Sequence, residues 1–471
     1  MKKTKILATF GPAVASPSKI SQLIRAGVNL FRINCSHGTT EDFLGAVNVI
    51  REGAGKSNNF PVGLLFDISG PKLRLERFRG ELPVKTGQKL TLTTGKTDFK
   101  KRLLGVNNPA IIKSVKKDQK LYIDDGSLMF DVISVQSGRV TIKARNSGLL
   151  LPGKGINLPD TDLKIPAVSA KDTEDIKTAV RADADYLAMS FVRSAKDILQ
   201  VKQIVKRFGG RQKVIAKLEK REAVESLDAI MDVADGVMVA RGDLGVELPP
   251  AEVPRLQKKI TRLAYQHRKP VIVATQMLES MRSSPRATRA EVNDVASAVF
   301  DFVDAVMLSA ETAIGKYPLE AVQTMSEVIN TTEQAAVRPD IEMGTHLKSS
   351  AIPNAIAEAV IRAEQYCDTK VIFAFTTSGF TAELISNLFP PQPVIALTPN
   401  EKVMTQLSLY RSVYPVLIKQ PKSFSDMLAT VNSVSRQFKL ARRGDRVVIT
   451  GGAPFGSTVS TNFLMIHEVG R

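Results

Sequence analysis

VIAKLEKREAVESLDAIMDVADGVMVARGD, residues 214–243, is the stretch that decides the fold. It opens with an apolar, β-branched run that ends in Lys217 and Glu219. It then passes through a helix-like segment and returns to a second apolar run that ends in Arg241, Gly242 and Asp243. A strand, a helix and another strand in this order predict parallel pairing. The same rhythm extends in both directions. Short apolar runs stand at 6–9, 30–36, 63–69, 186–191, 214–219, 236–241, 271–276 and 305–311. The segments 172–181, 194–207 and 251–267 between them have amphipathic helical spacing. Eight such units closing on themselves predict an α/β fold, a (β/α)8 TIM barrel.

About 115 residues separate the third run from the fourth. That stretch is punctuated by glycine and strand-like at 88–94 and 139–143, so it predicts a small β-barrel lid inserted after strand three. Beyond residue 338 a helical stretch at 351–366 leads into apolar runs at 371–375, 394–397 and 447–449, the pattern of an open α/β sheet. The expected division is a discontinuous barrel domain at 1–71 and 166–340, an inserted lid at 72–165, and a C-terminal α/β domain at 341–471.

The chain of 471 residues is 43% hydrophobic and 24% charged, a globular composition. No apolar run approaches the ~18 residues that span a bilayer, so no membrane partner is expected. Two cysteines, Cys35 and Cys367, cannot build a disulfide framework, which points to the cytoplasm. Cys35 alternates with inward-facing residues and reads as buried filler. The net charge is +18, and residues 72–165 hold 19 Lys/Arg against 9 Asp/Glu. Such charge suits small polyanions. Nucleic acid is not expected, because no zinc-finger or RNP-type motif accompanies it and the chain has no tryptophan. The lysine-rich run 113–120 reads as a solvated face.

In a TIM barrel the chemistry sits at the C-terminal strand ends. Those ends carry Arg32, Asn34 and Ser36 on strand two, Asp67 on strand three, and Lys217 and Glu219 on strand five. Strand six runs into Gly242 and Asp243, strand seven ends in Thr275, and strand eight ends in Glu311. Residues two apart share a face, so Lys217 and Glu219 project together. Glu219 and Asp243 end adjacent strands about 4.8 Å apart. Two carboxylates that close repel unless a cation or proton lies between them, and a hard Mg²⁺ ion suits the pair. The plainer alternative is a rim ion pair between Lys217 and Glu219.

Six segments resemble the signatures of the pyruvate kinase family in the family's order: FRINCSHG at 31–38, DISGPKLR at 67–74, AKLE at 216–219, MVARGDLG at 238–245, ATQMLES at 274–280 and LSAETA at 308–313. TKILATFGP at 4–12 and KGINLP at 154–159 are similar too. The resemblance implies phosphoryl transfer from phosphoenolpyruvate to ADP, giving pyruvate and ATP, in glycolysis. It implies Mg²⁺, with Mn²⁺ as a substitute, on Glu219 and Asp243. Lys217 would neutralise the phosphoryl group. The Gly242 and Asp243 amides with Thr275 would hold the substrate carboxylate. Arg32 and Arg74 would steady phosphoryl group and nucleotide, and His37 and Lys154 would contact the nucleotide. Asn34, Ser36, Asp67 and Ile68 would line a monovalent-cation site. The family is usually a homotetramer under allosteric control.

Three positions depart from the family pattern. Lys72 stands where potassium-dependent members have Glu, and Ile68 where they often have Thr. Lys72 is therefore expected to replace K⁺, which would not be required. Lys220 stands where Asn is common and is expected to be an exposed surface lysine. The C-terminal domain has Ser386, Asn387 and Leu388 where relatives often carry arginines. In that domain TTSGFT at 376–381 opens a helix, and Thr376, Thr377, Ser378, Gly379 and Thr381 are read as an effector site for a sugar phosphate or nucleotide, or as an ordinary N-cap. Two other functions compete: a Mg²⁺-dependent aldolase-type lyase, and a catalytically inactive sugar-phosphate sensor. The large insert argues against the lyase, and the presence of Lys217, Glu219 and Asp243 argues against the sensor.

Overall fold

A computed structural model describes every residue except 37, 58–60, 164, 338–350, 455–459 and 471. Eight parallel strands close into a barrel: Lys5–Thr9, Leu30–Asn34, Gly63–Ile68, Tyr186–Met189, Lys213–Leu218, Gly236–Ala240, Val271–Ala274 and Ala305–Leu308. Strand side chains alternate between two faces, and the two faces fill different cores. Leu7, Leu30, Leu65, Tyr186, Ile215, Met238, Ile272 and Ala305 pack inside the barrel. Ile6, Phe31, Phe66, Leu187, Val214, Val237, Val273 and Val306 pack outward against the helices. Counting upward in twos from the inner residues reaches Arg32, Asp67, Ser190 and Lys217, which fixes the ring of side chains that crowns the barrel. Cys35 continues the outward series and is fully buried.

Between the third and fourth barrel strands the chain forms a six-stranded sheet and a two-stranded sheet. Entry and exit run side by side. Arg74 bridges Gly155 antiparallel, the Leu75 amide donates to the Lys154 carbonyl at 2.9 Å, and the Ile156 amide donates to the Leu73 carbonyl at 2.8 Å. At the exit, Arg193 donates to the carbonyls of Leu163 at 2.8 Å and Ile165 at 2.9 Å. The Lys113 and Lys116 side chains are exposed, as a solvated face requires.

The C-terminal sheet runs Val413–Leu417, Val394–Thr398, Ile372–Phe375, Arg446–Gly451, Phe463–Glu468, with only the last strand antiparallel. It sits under the N-terminal ends of the barrel strands. Lys5 donates to the Val413 carbonyl at 2.5 Å, Tyr186 donates to the Gln406 carbonyl, and Lys402 pairs with Asp185 at 2.9 Å. No helix among the described residues is long and apolar enough to cross a membrane.

Candidate active site

Lys217 is the centre of the rim. Its ammonium lies 2.9 Å from Glu219, 3.2 Å from Asp67 and 2.8 Å from the Ser190 hydroxyl. Burial disfavours its charge, but Asp67 and Glu219 more than reverse that, and its pKa stands above the usual lysine range. Burial would likewise raise Asp67, yet Lys217 and Arg32 hold it below the usual carboxylate range. Arg32 meets the other Asp67 oxygen at 2.7 Å and reaches the Thr9 hydroxyl at 3.2 Å. The second oxygen of Glu219 accepts the Phe191 amide at 2.8 Å. So the Lys217–Glu219 rim pair exists, but as one edge of a larger charged network.

Asp243 follows the sixth strand on the short helix Arg241–Glu247. Burial, and the Glu219 carboxylate next, raise its pKa to about 7. Two carboxylates compete there for the Lys217 charge, a tension that a further cation would relieve. Among the described residues no group of three or more His, Cys, Asp or Glu is arranged to hold a metal by itself. A two-carboxylate site, completed by water and substrate oxygens, is the form Mg²⁺ commonly takes.

Thr275 sits in the left-handed region at φ 69°, as does Gln276 at φ 55°. Non-glycine residues are rarely held there. Arg241 clamps the turn by donating to the Thr275 carbonyl at 2.8 Å while bonding Asp294. The Thr275 hydroxyl accepts the Gly242 amide at 2.8 Å and donates to the Ala274 carbonyl at 2.6 Å. The Gly242 amide is thus already engaged and must exchange partners to hold a substrate carboxylate.

Two clefts meet at Asp243. One, of about 760 Å³, is lined by Arg32, Asn34, Asp67, Lys217, Asp243 and Thr275. The other, of about 370 Å³, lies between barrel and insert and contains Lys72, Arg74, Lys154, Arg193, Lys220 and Asp243. Lys154 pairs with Asp124 of the insert at 2.8 Å. Lys72 is half-buried, and burial and Arg74 lower its pKa to about 8. Among the residues of the expected monovalent-cation site, the Asn34 side-chain oxygen Oδ1 accepts the Ser36 amide at 3.0 Å, the Ser69 hydroxyl bonds Ser36 at 3.2 Å, and Ile68 is buried. His37 lies outside the described residues.

Two readings change. Lys220 is not an exposed surface lysine. Its side chain is 13% exposed and pairs at 2.6 Å with Glu247, which is 3% exposed. The cause is the helix Arg241–Glu247, whose last residue meets Lys220 just past strand five. Glu311 is fully buried and accepts the Leu278 and Ser309 amides at 3.1 and 2.7 Å, so it braces the rim from behind. Ser190, the Phe191 amide, Thr9 and Arg193 were not found from sequence. Ser190 could have been, because Ala188 is in register with Asp67 and Ser190 lies two residues further on the same face.

In the C-terminal unit, Thr376 accepts the Gly379 amide at 2.9 Å and Thr381 bonds Thr461 at 2.7 Å. Both hydroxyls serve the local fold. Thr377 and Ser378 are exposed beside a cleft of about 60 Å³.

A (β/α)8 barrel that gathers a buried lysine, an arginine and several carboxylates at its C-terminal rim has the layout of a TIM-barrel enzyme. Comparison with known proteins makes it specific. Residues 1–322 match the family model "Pyruvate kinase, barrel domain", and residues 354–467 match "Pyruvate kinase, alpha/beta domain". The chain is 39% identical to a pyruvate kinase of Sporosarcina psychrophila, over 100% of this chain and 81% of that protein. It is also 39% identical to one of Methylorubrum extorquens, over 100% of this chain and 98% of that protein. The chain belongs to the pyruvate kinase family, and its function is that of a pyruvate kinase, a phosphotransferase.

Proposed function

We propose that the chain transfers the phosphoryl group of phosphoenolpyruvate to ADP, and that the rim residues divide the work as follows. Glu219 and Asp243 hold Mg²⁺, which when bound offsets the negative charge of phosphate and carboxylate. Lys217, kept charged by Asp67 and Glu219, neutralises the equatorial phosphoryl oxygens as the bond to the enol oxygen breaks and the bond to ADP forms. Arg32 and Arg74 position the phosphoryl group and the nucleotide. The enolate left behind is protonated on carbon, and the clamped Thr275 hydroxyl orients the water that delivers the proton. The insert, residues 72–165, closes over ADP and excludes water, with Lys154 contacting the nucleotide. The observation that carries this reading is the buried Lys217 ammonium bracketed by Asp67, Ser190 and Glu219. The test is pyruvate formation from phosphoenolpyruvate and ADP with and without Mg²⁺. No pyruvate from the folded, Mg²⁺-loaded protein would overturn it.

Potassium is not required in this reading. Asp67 spends one oxygen on Arg32 and the other on Lys217 and Ser190. Lys72 feels the charges of Arg74, Asp67, Lys217 and Lys171, and Lys171 covers the Cys35 carbonyl at 2.7 Å. A monovalent ion would enter a neighbourhood already rich in fixed positive charge. Turnover at saturating Mg²⁺ in a potassium- and sodium-free buffer of constant ionic strength is expected to rise less than about tenfold on adding K⁺. Lys72→Glu is expected to create the requirement. An effector phosphate would use Thr377 and Ser378. Calorimetry with phosphorylated sugars and nucleotides on the wild type and Ser378→Ala checks it, and an identical binding curve removes the site.

A further inference from the structure

One carboxylate oxygen joins three pieces of the molecule. Glu247 Oε1 accepts the Lys220 ammonium at 2.6 Å and the Asn157 amide group at 3.2 Å. Lys220 directly follows Glu219 at the end of barrel strand five. Glu247 ends the helix that carries Asp243. Asn157 belongs to the insert, in the short strand Ile156–Asn157 beside the paired entry and exit. The three residues therefore tie both carboxylates of the proposed metal site to the insert. Lys220 and Asn157 also line the cleft between barrel and insert, with Arg74 and Lys154.

Local structure does not account for a lysine here. Lys220 is the N-cap residue of the helix Arg221–Glu225 and makes no side-chain cap. Residues with a short oxygen-bearing side chain are favoured at that position, and a positive charge there opposes the helix dipole. Burial of the pair adds a desolvation cost that often cancels its attraction, so a pair of this kind is weak evidence for stability. What it does supply is a fixed orientation of the Glu247 oxygen that the insert grips.

We propose that Lys220 is a positioning residue for the nucleotide step: it holds Glu247 so that Asn157 docks the insert over the cleft, and it sets the KM for ADP rather than that for phosphoenolpyruvate. The proposal rests on the reading of that cleft as the nucleotide site. Lys220→Met is expected to raise the ADP KM about tenfold, the scale of one lost charge-assisted hydrogen bond, and to leave the phosphoenolpyruvate KM within about twofold. Lys220→Arg is expected to restore the ADP KM. Asn157→Ala approaches the same junction from the insert, without stranding a buried charge. It is expected to raise the ADP KM alone, and the double variant Lys220→Met/Asn157→Ala is expected to be no worse than the poorer single. Equal rises in both KM values, full additivity, or an unchanged ADP KM in Asn157→Ala would each overturn the proposal. Lys154→Met separates the two layers. If it raises the ADP KM while the Lys220 and Asn157 variants do not, the cleft binds nucleotide and only the junction is misread. If it too leaves the ADP KM unchanged, the nucleotide reading itself fails.

Discussion

The barrel buries charge at both ends, and the two ends use it differently. At the bottom, the buried carboxylates are tied to backbone amides. The Glu333 carboxylate accepts the Lys3 and Thr4 amides at 2.8 and 2.6 Å, and Asp304 accepts the Arg411 and Val271 amides at 3.0 and 2.9 Å. Arg411 reaches the Thr4 hydroxyl and Glu333, and its guanidinium stacks on Phe302. At the top, Lys217, Asp67, Arg32 and Asp243 border an open volume, and Asp243 is left short of positive charge. Burial of charge therefore does not by itself mark function. Asp304 at the bottom is pushed up to about 6 by burial, much as Asp243 is pushed up at the top, so what distinguishes the upper end is charge that faces a cavity.

The largest expected break in that comparison is Lys217→Met. Turnover should fall by about a thousandfold, the scale of a lost transition-state charge partner, with far-UV circular dichroism unchanged. Turnover kept within about tenfold would remove Lys217 from its role. At the other end, Arg411→Ala should lower stability by about 3–5 kcal/mol, because Glu333 loses a buried ion-pair partner and the Thr4 hydroxyl loses the guanidinium. Turnover per folded molecule should hold, and a selective loss of turnover there would collapse the distinction between the two ends.

Smaller effects sharpen it. Glu219→Gln and Asp243→Asn should each raise the Mg²⁺ concentration for half-maximal activity at least about tenfold, a scale that even residues behind a metal ligand reach. An unchanged titration in both would place the metal elsewhere. The smallest effect is on stability and pH. Asp243 has a folded pKa near 7, above its unfolded value of about 3.9. The folded state then binds more protons between those values, so the metal-free protein should lose stability as pH rises through that window. Asp243→Asn should stabilise it at pH 8, by at least about 1 kcal/mol, the worth of one pKa unit, and have little effect at pH 4. Thermal melts in chelator decide this, and equal shifts at both pH values would contradict the assignment.

Much of this was legible in the sequence, because barrel strands announce themselves as apolar runs. The runs at 30–36 and 186–191 overshoot the strands Leu30–Asn34 and Tyr186–Met189 only where the chain turns over the rim. The C-terminal strand Val413–Leu417 was missed, since Pro415 argues against a strand. It is an edge strand, where a missing amide is tolerated. Phe463–Glu468 escaped for another reason: it pairs antiparallel, outside the strand-helix rhythm. In the site, two-residue spacing placed Lys217 and Glu219 on one face. The same rule misjudged Glu311, because the chain had already left strand eight at Leu308 and entered a helical turn. Lys220 was misread because its partner is 27 residues away and only the fold brings them together.

The antiparallel pairing of the insert's entry and exit has a mechanical consequence. Two separate tethers would let the insert swing and twist, so it would explore many orientations before finding the closed one. A ribbon zipped from Leu73 to Ile156 resists twisting and bends chiefly across its own plane. Arg193, by gripping the carbonyls of Leu163 and Ile165, holds the exit of the insert to the barrel. In the proposed closure the insert moves as a door on a hinge pin and not as a weight on two strings. In that closure the search for the closed pose would reduce to nearly a single angle, and Asn157, close to the pin, would sweep a short arc.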